Sequence, residues 1–278
     1  MLTQIVVWLN QGAKLIGSVL LAPIQWLPGW LSATFLGVIS GLLMLVVFRF
    51  TSNQKAIRSI RSQIKANMLA LTLFKDDIFV SLRCQTRIFA GAIGLVLHSL
   101  IPMAVMVLPV TLLLGQASLW YQARPLKVGE EAVVTVQLRE NSKAVLDEIA
   151  LKEDAAIAVV TGPVRIPKKN LVCWNLTPKE TGEKLLQFEI DGQTYTKELS
   201  VGDGFKLTSL RRPPADWKQA LLYPAETPFG EDSLVQSIDV ILPARNSFTA
   251  GTGSWVVYWF AISMLSAFLA KPFLNVSI

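Results

Sequence analysis

The chain has 278 residues, 52% of them hydrophobic, and a mean hydropathy of +0.45, above that of an ordinary water-soluble domain. Its net charge of +6 is concentrated in one stretch: Arg49 to Phe89 carries eight Lys or Arg against Asp76 and Asp77, whereas Leu119 to Ala250 carries 16 against 18 acids. That distribution argues against recognition of a specific nucleic-acid sequence, and a single histidine with two cysteines argues against a zinc site.

Residues 1–28 open with an interrupted apolar run. Thr3, Asn10, Lys14 and Ser18 share one helical face, with Ile5, Trp8, Leu9, Ile16 and Leu20 largely opposite. The pattern predicts a helix lying in the membrane interface, with a fourth span as the alternative. A basic start and a small-residue cleavage site, the marks of a secretory leader, are not evident. Pro23 and Pro28 break the run.

Residues 29–50 form the first predicted span, an uncharged run from Leu31 to Phe48 preceded by Trp26 and Trp30 and ended by Arg49. Aromatics at one end and a cation at the other orient it with its N-terminus outside. Gly37 and Gly41 are four apart, with Ser40 beside them, a spacing that permits close helix contact.

Residues 51–87 hold Lys55, Arg58, Arg61, Lys65, Lys75, Arg83 and Arg87. So many cations between two apolar runs stay in the cytoplasm. Ile57, Ile60, Ile64, Met68 and Leu71 recur at spacings of three and four, which predicts a helix continuing out of the first span. Phe74-Lys75-Asp76-Asp77 is the expected reversal, with Asp76 or Asp77 capping a second helix that runs through Ile78, Leu82 and Phe89. The two helices make a basic coiled hairpin; the alternative is a solvated connector whose charges only fix topology.

Residues 88–118 are the second span, with His98 and Ser99 near mid-depth, Pro102 and Pro109 as expected kinks, and Trp120 and Tyr121 past its outer end. An ionisable side chain inside a membrane is a candidate functional group; the alternative for His98 is a neutral imidazole bonded to a neighbouring helix.

Residues 119–204 change to short β-rich runs (EAVVTVQL, AIAVVTG, NLVCWNL, KLLQFEI, TYTKELSV), with Asp191-Gly192 as a hairpin turn. They predict a small immunoglobulin-like sandwich outside the cytoplasm. Cys84 and Cys173 then face opposite compartments, so no disulfide joins them. Residues 205–252 are a proline-rich return segment, in which QSIDVIL is a candidate strand and Trp217 to Tyr223 a short amphipathic helix. Residues 253–272 are the third span, with Trp255, Tyr258 and Trp259 at its outer end, Lys271 at its inner end, and Ser263, Ser266, Ala267 and Ala270 on a small-residue side.

The fold class expected is therefore an α-helical integral membrane protein (three spans, an N-terminal interfacial helix and a cytoplasmic hairpin) carrying an all-β immunoglobulin-like domain. A bacterial inner (plasma) membrane is expected, with the N-terminus and β domain extracytoplasmic and the hairpin and C-terminus cytoplasmic. This order resembles the YidC-type insertase superfamily, above all its small three-span branch of archaeal YidC-like proteins and the insertase subunit of the ER membrane protein complex. The resemblance covers Trp26 to Phe89 and the second and third spans. The inserted β domain departs from the larger YidC proteins, whose extracytoplasmic domain precedes the core.

The resemblance implies a groove open to the cytoplasm that eases client segments into the bilayer without covalent chemistry. By position, Arg49 is the groove cation, with interfacial snorkelling as its alternative role. Ser40, His98, Ser99, Ser263 and Ser266 are candidate lining. Lys55, Arg58, Arg61 and Lys65 are candidate contacts for nascent chains, the ribosome, other translocation subunits or the lipid bilayer. The competing expectation is a membrane-anchored scaffold presenting its β domain to an extracytoplasmic protein partner. Neither is an enzyme, and no cofactor motif is visible.

Overall fold

A computed structural model describes residues 2–21, 28–74, 77–140, 146–245 and 254–274. They fall into two compact units, Met1–Ala33 with Thr111–Val257, and Thr34–Val110 with Tyr258–Ile278. Pro23, Trp26, Lys75 and Asp76, and the side chains of Lys14, Ile16, Ser18 and Leu20, lie outside what is described.

Two helices are long and apolar enough to cross a membrane, α2 (Gly29–Thr51) and the 44-residue α4 (Ile78–Tyr121); α6 (Ser254–Ala270) is apolar but shorter. Between α2 and α4 lies α3 (Gln54–Leu73). The first unit also contains α1 (Leu2–Leu21).

α2 does not run on into α3 as expected. It ends at Thr51, and Asn53 caps α3 by accepting a hydrogen bond from the Ala56 amide at 3.1 Å. A side-chain acceptor at that point satisfies an otherwise orphaned N–H and starts a new helix. At the far end Asp77 caps α4, with Oδ1 accepting from the Phe79 and Val80 amides at 3.0 and 3.1 Å. Pro102 and Pro109 sit inside α4 without ending it.

In the second unit α3 and the first half of α4 pack antiparallel. A Cβ on Gly91 would lie 2.7 Å from Ile64, whereas one on Gly94 would make an ordinary 3.5 Å contact with Ile60, so Gly91 gives the isoleucine stripe its close approach. Ile57 is buried and Ile60, Ile64 and Leu71 are half-buried, as the periodicity predicts. Met68 is not part of the stripe: it is 55% exposed, and Asn67 takes the inward position with Nδ2 donating to the Gln63 carbonyl. A stripe stepping 57, 60, 64, 67, 71 follows the seam of an antiparallel pair, and Met68 falls one position beyond it.

In the first unit two antiparallel sheets enclose one core. The larger has the order β3 (Ile157–Ile166), β4 (Leu171–Pro178), β1 (Ala132–Leu138), β8 (Val235–Val240), β7 (Arg211–Arg212). The smaller has the order β2 (Ala150–Leu151), β5 (Gly182–Ile190), β6 (Gln193–Val201). Alternate residues of β1 and β4 are buried, and Trp174 of β4 meets Phe188 of β5 with ring centroids 5.2 Å apart, which joins the sheets across the core. The predicted Asp191-Gly192 turn closes the β5–β6 hairpin, with φ of 48° and 69°, the two positive values that a tight hairpin of this twist requires.

The β domain does not end at residue 204. β8, from the return segment, pairs with β1 from Val134↔Val240 onward, and β7 pairs with β8. A strand supplied by the segment leading to α6 thus sits inside the larger sheet. The short helix α5 (Trp217–Leu222), capped by Asp216, receives a hydrogen bond from α1: Asn10 Nδ2 donates to the Ala220 carbonyl at 2.7 Å. Asn10 and Val6 are buried while Ile5 and Trp8 are 56% and 76% exposed, so α1 turns a polar residue inward and two large apolar ones outward.

Candidate functional site

The residues expected to line a groove separate into two groups in the second unit. Ser40, Ser263 and Ser266 lie in the contact between α2 and α6. Ser40 is 1% exposed; its hydroxyl donates to the Gly37 carbonyl at 3.0 Å and accepts from Trp259 Nε1 at 2.9 Å. Ser263, 5% exposed, donates to the Phe260 carbonyl at 3.0 Å, and Ser266 to the Ser263 carbonyl at 2.9 Å. A Cβ on Gly41 would overlap Ser266 Oγ and the Ser263 carbonyl, and one on Gly37 would come within 2.7 Å of Ile262. Ser40 and Ser263 therefore close a helix–helix seam and do not face a groove. Small residues let the backbones approach, and the hydroxyls then find backbone or indole partners.

Trp259 is a residue whose partner sequence reasoning did not supply. Read from the sequence as an outer-end marker of the third span, it is 5% exposed and belongs to this seam. Trp255, at 6%, is buried too, stacked on Tyr121 with centroids 5.9 Å apart in the first unit, where Tyr121 also donates to Ser32 Oγ at 3.0 Å. Trp120 and Phe205 continue that stack at 5.7 Å. The available signal was spacing: Trp255, Trp259, Ser263 and Ser266 recur at four, four and three, one face of a helix. Of the aromatics read as outer-end markers, Trp30 is the exposed one among those described, at 56%.

The second group lies on the hairpin. Lys55, Arg58 and Lys65 are exposed on α3, on the side away from its isoleucine stripe, and Arg61 is half-buried at the edge of the seam. Arg49 is exposed in the last turn of α2, five residues before α3 starts. His98 Nδ1 lies 2.8 Å from the Gly94 carbonyl. A carbonyl only accepts, so Nδ1 carries the proton and Nε2 is left as an acceptor. Ser99 donates to the Val96 carbonyl at 2.8 Å.

The register of the hairpin brings His98 toward the start of α3. Ile64 faces Gly91 and Ile60 faces Gly91 and Gly94; one further turn brings His98 level with Ile57, near the start of α3. The first 21 residues of α4 thus match the 20 of α3, and the arm reaches His98 instead of stopping at Arg87. The remainder, Ser99 to Trp120, is about 33 Å long, close to the hydrocarbon thickness of a bilayer.

One cluster in the β domain resembles catalytic chemistry and does not supply it. Lys197 Nζ lies 2.9 Å from Ser209 Oγ and 2.5 Å from Glu226, a Ser–Lys–Glu arrangement. The Lys197 side chain is fully buried, and its ammonium also donates to the Glu198 and Ser209 carbonyls. Burial pushes its pKa down, while the Glu226 carboxylate opposes that shift. A dyad needs a neutral amine beside an accessible hydroxyl. Here the amine is ion-paired, and Ser209, 5% exposed, donates to Glu226. The cluster ties the return segment to β6.

Among the described residues no group of three or more His, Cys, Asp or Glu is placed to hold a metal ion. Comparison with protein-family models, curated proteins and solved structures finds no match for the chain.

Proposed function

We propose that the chain is a membrane-protein insertase or chaperone of YidC type, with α2, the later part of α4 and α6 crossing a bacterial inner membrane and the α3–α4 arm in the cytoplasm. The observation that carries this reading is the arm itself: a glycine-notched helical hairpin, cationic on its α3 side and rooted beside Arg49. An anchor has no need of such an element. Arg49 attracts the acidic flank of a client segment, and Lys55, Arg58 and Lys65 meet nascent chains or the ribosome. With Ser40 and Ser263 closed in the α2–α6 seam, Arg49, His98 and Ser99 remain as the polar groups of a client path. The function is non-covalent: a partly hydrated path lowers the cost of taking polar groups into hydrocarbon.

A specific observation favours the second reading, a scaffold that presents the β domain to an extracytoplasmic partner. The small and hydroxylated residues of α2 and α6 are consumed in mutual packing, as an anchor requires.

Photocrosslinking separates the two. Probes at the exposed positions Leu42, Phe50 and Leu97 are expected to capture ribosome-bound nascent membrane proteins, and Arg49→Glu to weaken capture several-fold. Silence at all three, with capture from probes on the β domain, replaces the insertase by the scaffold.

A further inference from the structure

The two helices of the arm expose opposite chemistries. On α4 the side away from α3 carries Ile78, Leu82, Phe89, Ile93 and Val96, between 57% and 72% exposed. They recur at three, four and seven residues along one face, and Thr86 between them bonds its hydroxyl back to the Leu82 carbonyl at 2.9 Å. The outer side of α3 is cationic over its first 12 residues, with Lys55, Arg58 and Lys65 exposed. Arg83 and Arg87 are also exposed; Arg83 borders the apolar face, while Arg87, four and seven residues before Gly91 and Gly94, lies on the side of α4 that meets α3. Asp77 is the only acid among the described arm residues, at its tip.

We infer that the arm lies against an anionic lipid leaflet, with the outer face of α4 in the boundary between acyl chains and headgroups, Arg83 beside it at phosphate level, and the cationic side of α3 turned to water, where its charge adds to the attraction toward the leaflet. Two features favour lipid over a client helix. The apolar face belongs to the convex outside of a two-helix rod, whereas recognition of a helix uses a groove. It also continues without a break along α4 through Leu100, Met103 and Val107, 50% to 64% exposed, so the phase that covers the later part of the helix covers the arm as well. An apolar face with cations on the remaining sides matches an interfacial element whose apolar side sits roughly 5–10 Å into the headgroup region. Pro102, one turn past His98, removes the amide that would bond the His98 carbonyl, which lets α4 bend where the arm meets the rest of the helix.

The inference rests on α4 crossing the bilayer, and the experiment tests the two separately. Full-length protein with Cys84 and Cys173 replaced by Ala is labelled with a spin probe at Ile78→Cys, Phe89→Cys, Ser62→Cys or Leu108→Cys, then reconstituted in phosphatidylglycerol-containing or purely phosphatidylcholine vesicles. In anionic vesicles the probes at 78 and 89 are expected to meet dissolved oxygen as the probe at 108 does, and the probe at 62 to meet a water-soluble relaxant. In neutral vesicles contact of 78 and 89 with the water-soluble relaxant is expected to rise several-fold. Water exposure of 78 and 89 in anionic vesicles, with 108 in lipid, overturns the inference and leaves the crossing intact. Water exposure at 108 as well overturns both. Equal shielding in the two lipids removes the anionic requirement, and shielding that arises only on adding ribosome-bound nascent chains assigns the face to a client; either result overturns the inference.

Discussion

Lys197 and Glu226 show how strongly single residues hold the β domain to the segment that returns from it. Removing one partner of a buried ion pair leaves the other charge without compensation, so Lys197→Met is expected to destabilise the domain by about 3–5 kcal/mol. Lys197→Met combined with Glu226→Leu is expected to recover most of that loss; denaturant unfolding of the full chain in detergent measures both, and a cost below about 1 kcal/mol for the single change would sink the assignment. Glu130 makes the pH-dependent contribution. Its carboxylate accepts from Arg124 at 2.7 and 2.8 Å and from the Lys127 amide, and chiefly the Arg124 bond holds its pKa down from its ordinary 4.5 to about 2. A depressed carboxylate stabilises the fold above its unfolded pKa, and that contribution is lost as pH falls from 4.5 to about 2. Glu130→Gln is expected to remove this part of the acid limb, so an unchanged stability–pH curve in that window argues against the pair.

Elements meet here through glycine. Gly91 lets α3 lie on α4, and Gly37 and Gly41 let α2 lie on α6, so each contact is sensitive to one added side chain. Gly91→Leu is expected to cost about 1–3 kcal/mol by overpacking against Ile64 and to raise hydrogen exchange across α3. Ala92→Leu, on the exposed side of the same helix, should leave exchange near wild type. Equal exchange in the two variants would mean that the notch does not hold the arm together.

For the whole molecule the decisive quantity is which side of the membrane each part occupies. Eight cations between Arg49 and Phe89, against a near-neutral β domain, favour a cytoplasmic arm. A membrane-impermeant thiol reagent is therefore expected to reach Ser62→Cys only from the cytoplasmic side and Ala155→Cys only from the other, both positions being exposed. Labelling of both from one side would remove the proposed topology and the insertase reading with it.

Charge distribution, apolar run length, the Asp191-Gly192 turn and the isoleucine stripe of α3 were legible in the sequence because each is a local property, set by period, backbone conformation or the cost of moving charge across lipid. The partners of polar and aromatic side chains were not. Ser40 and Trp259 are 219 residues apart, and whether they line a path or bond to each other depends on how α2 meets α6. What lies level with His98 likewise depends on the register of α3 against α4, where Gly91 meets Ile64. The place of β8 beside β1 depends on pairing across most of the domain. These are long-range choices among surfaces of similar composition, and only the tertiary structure decided them.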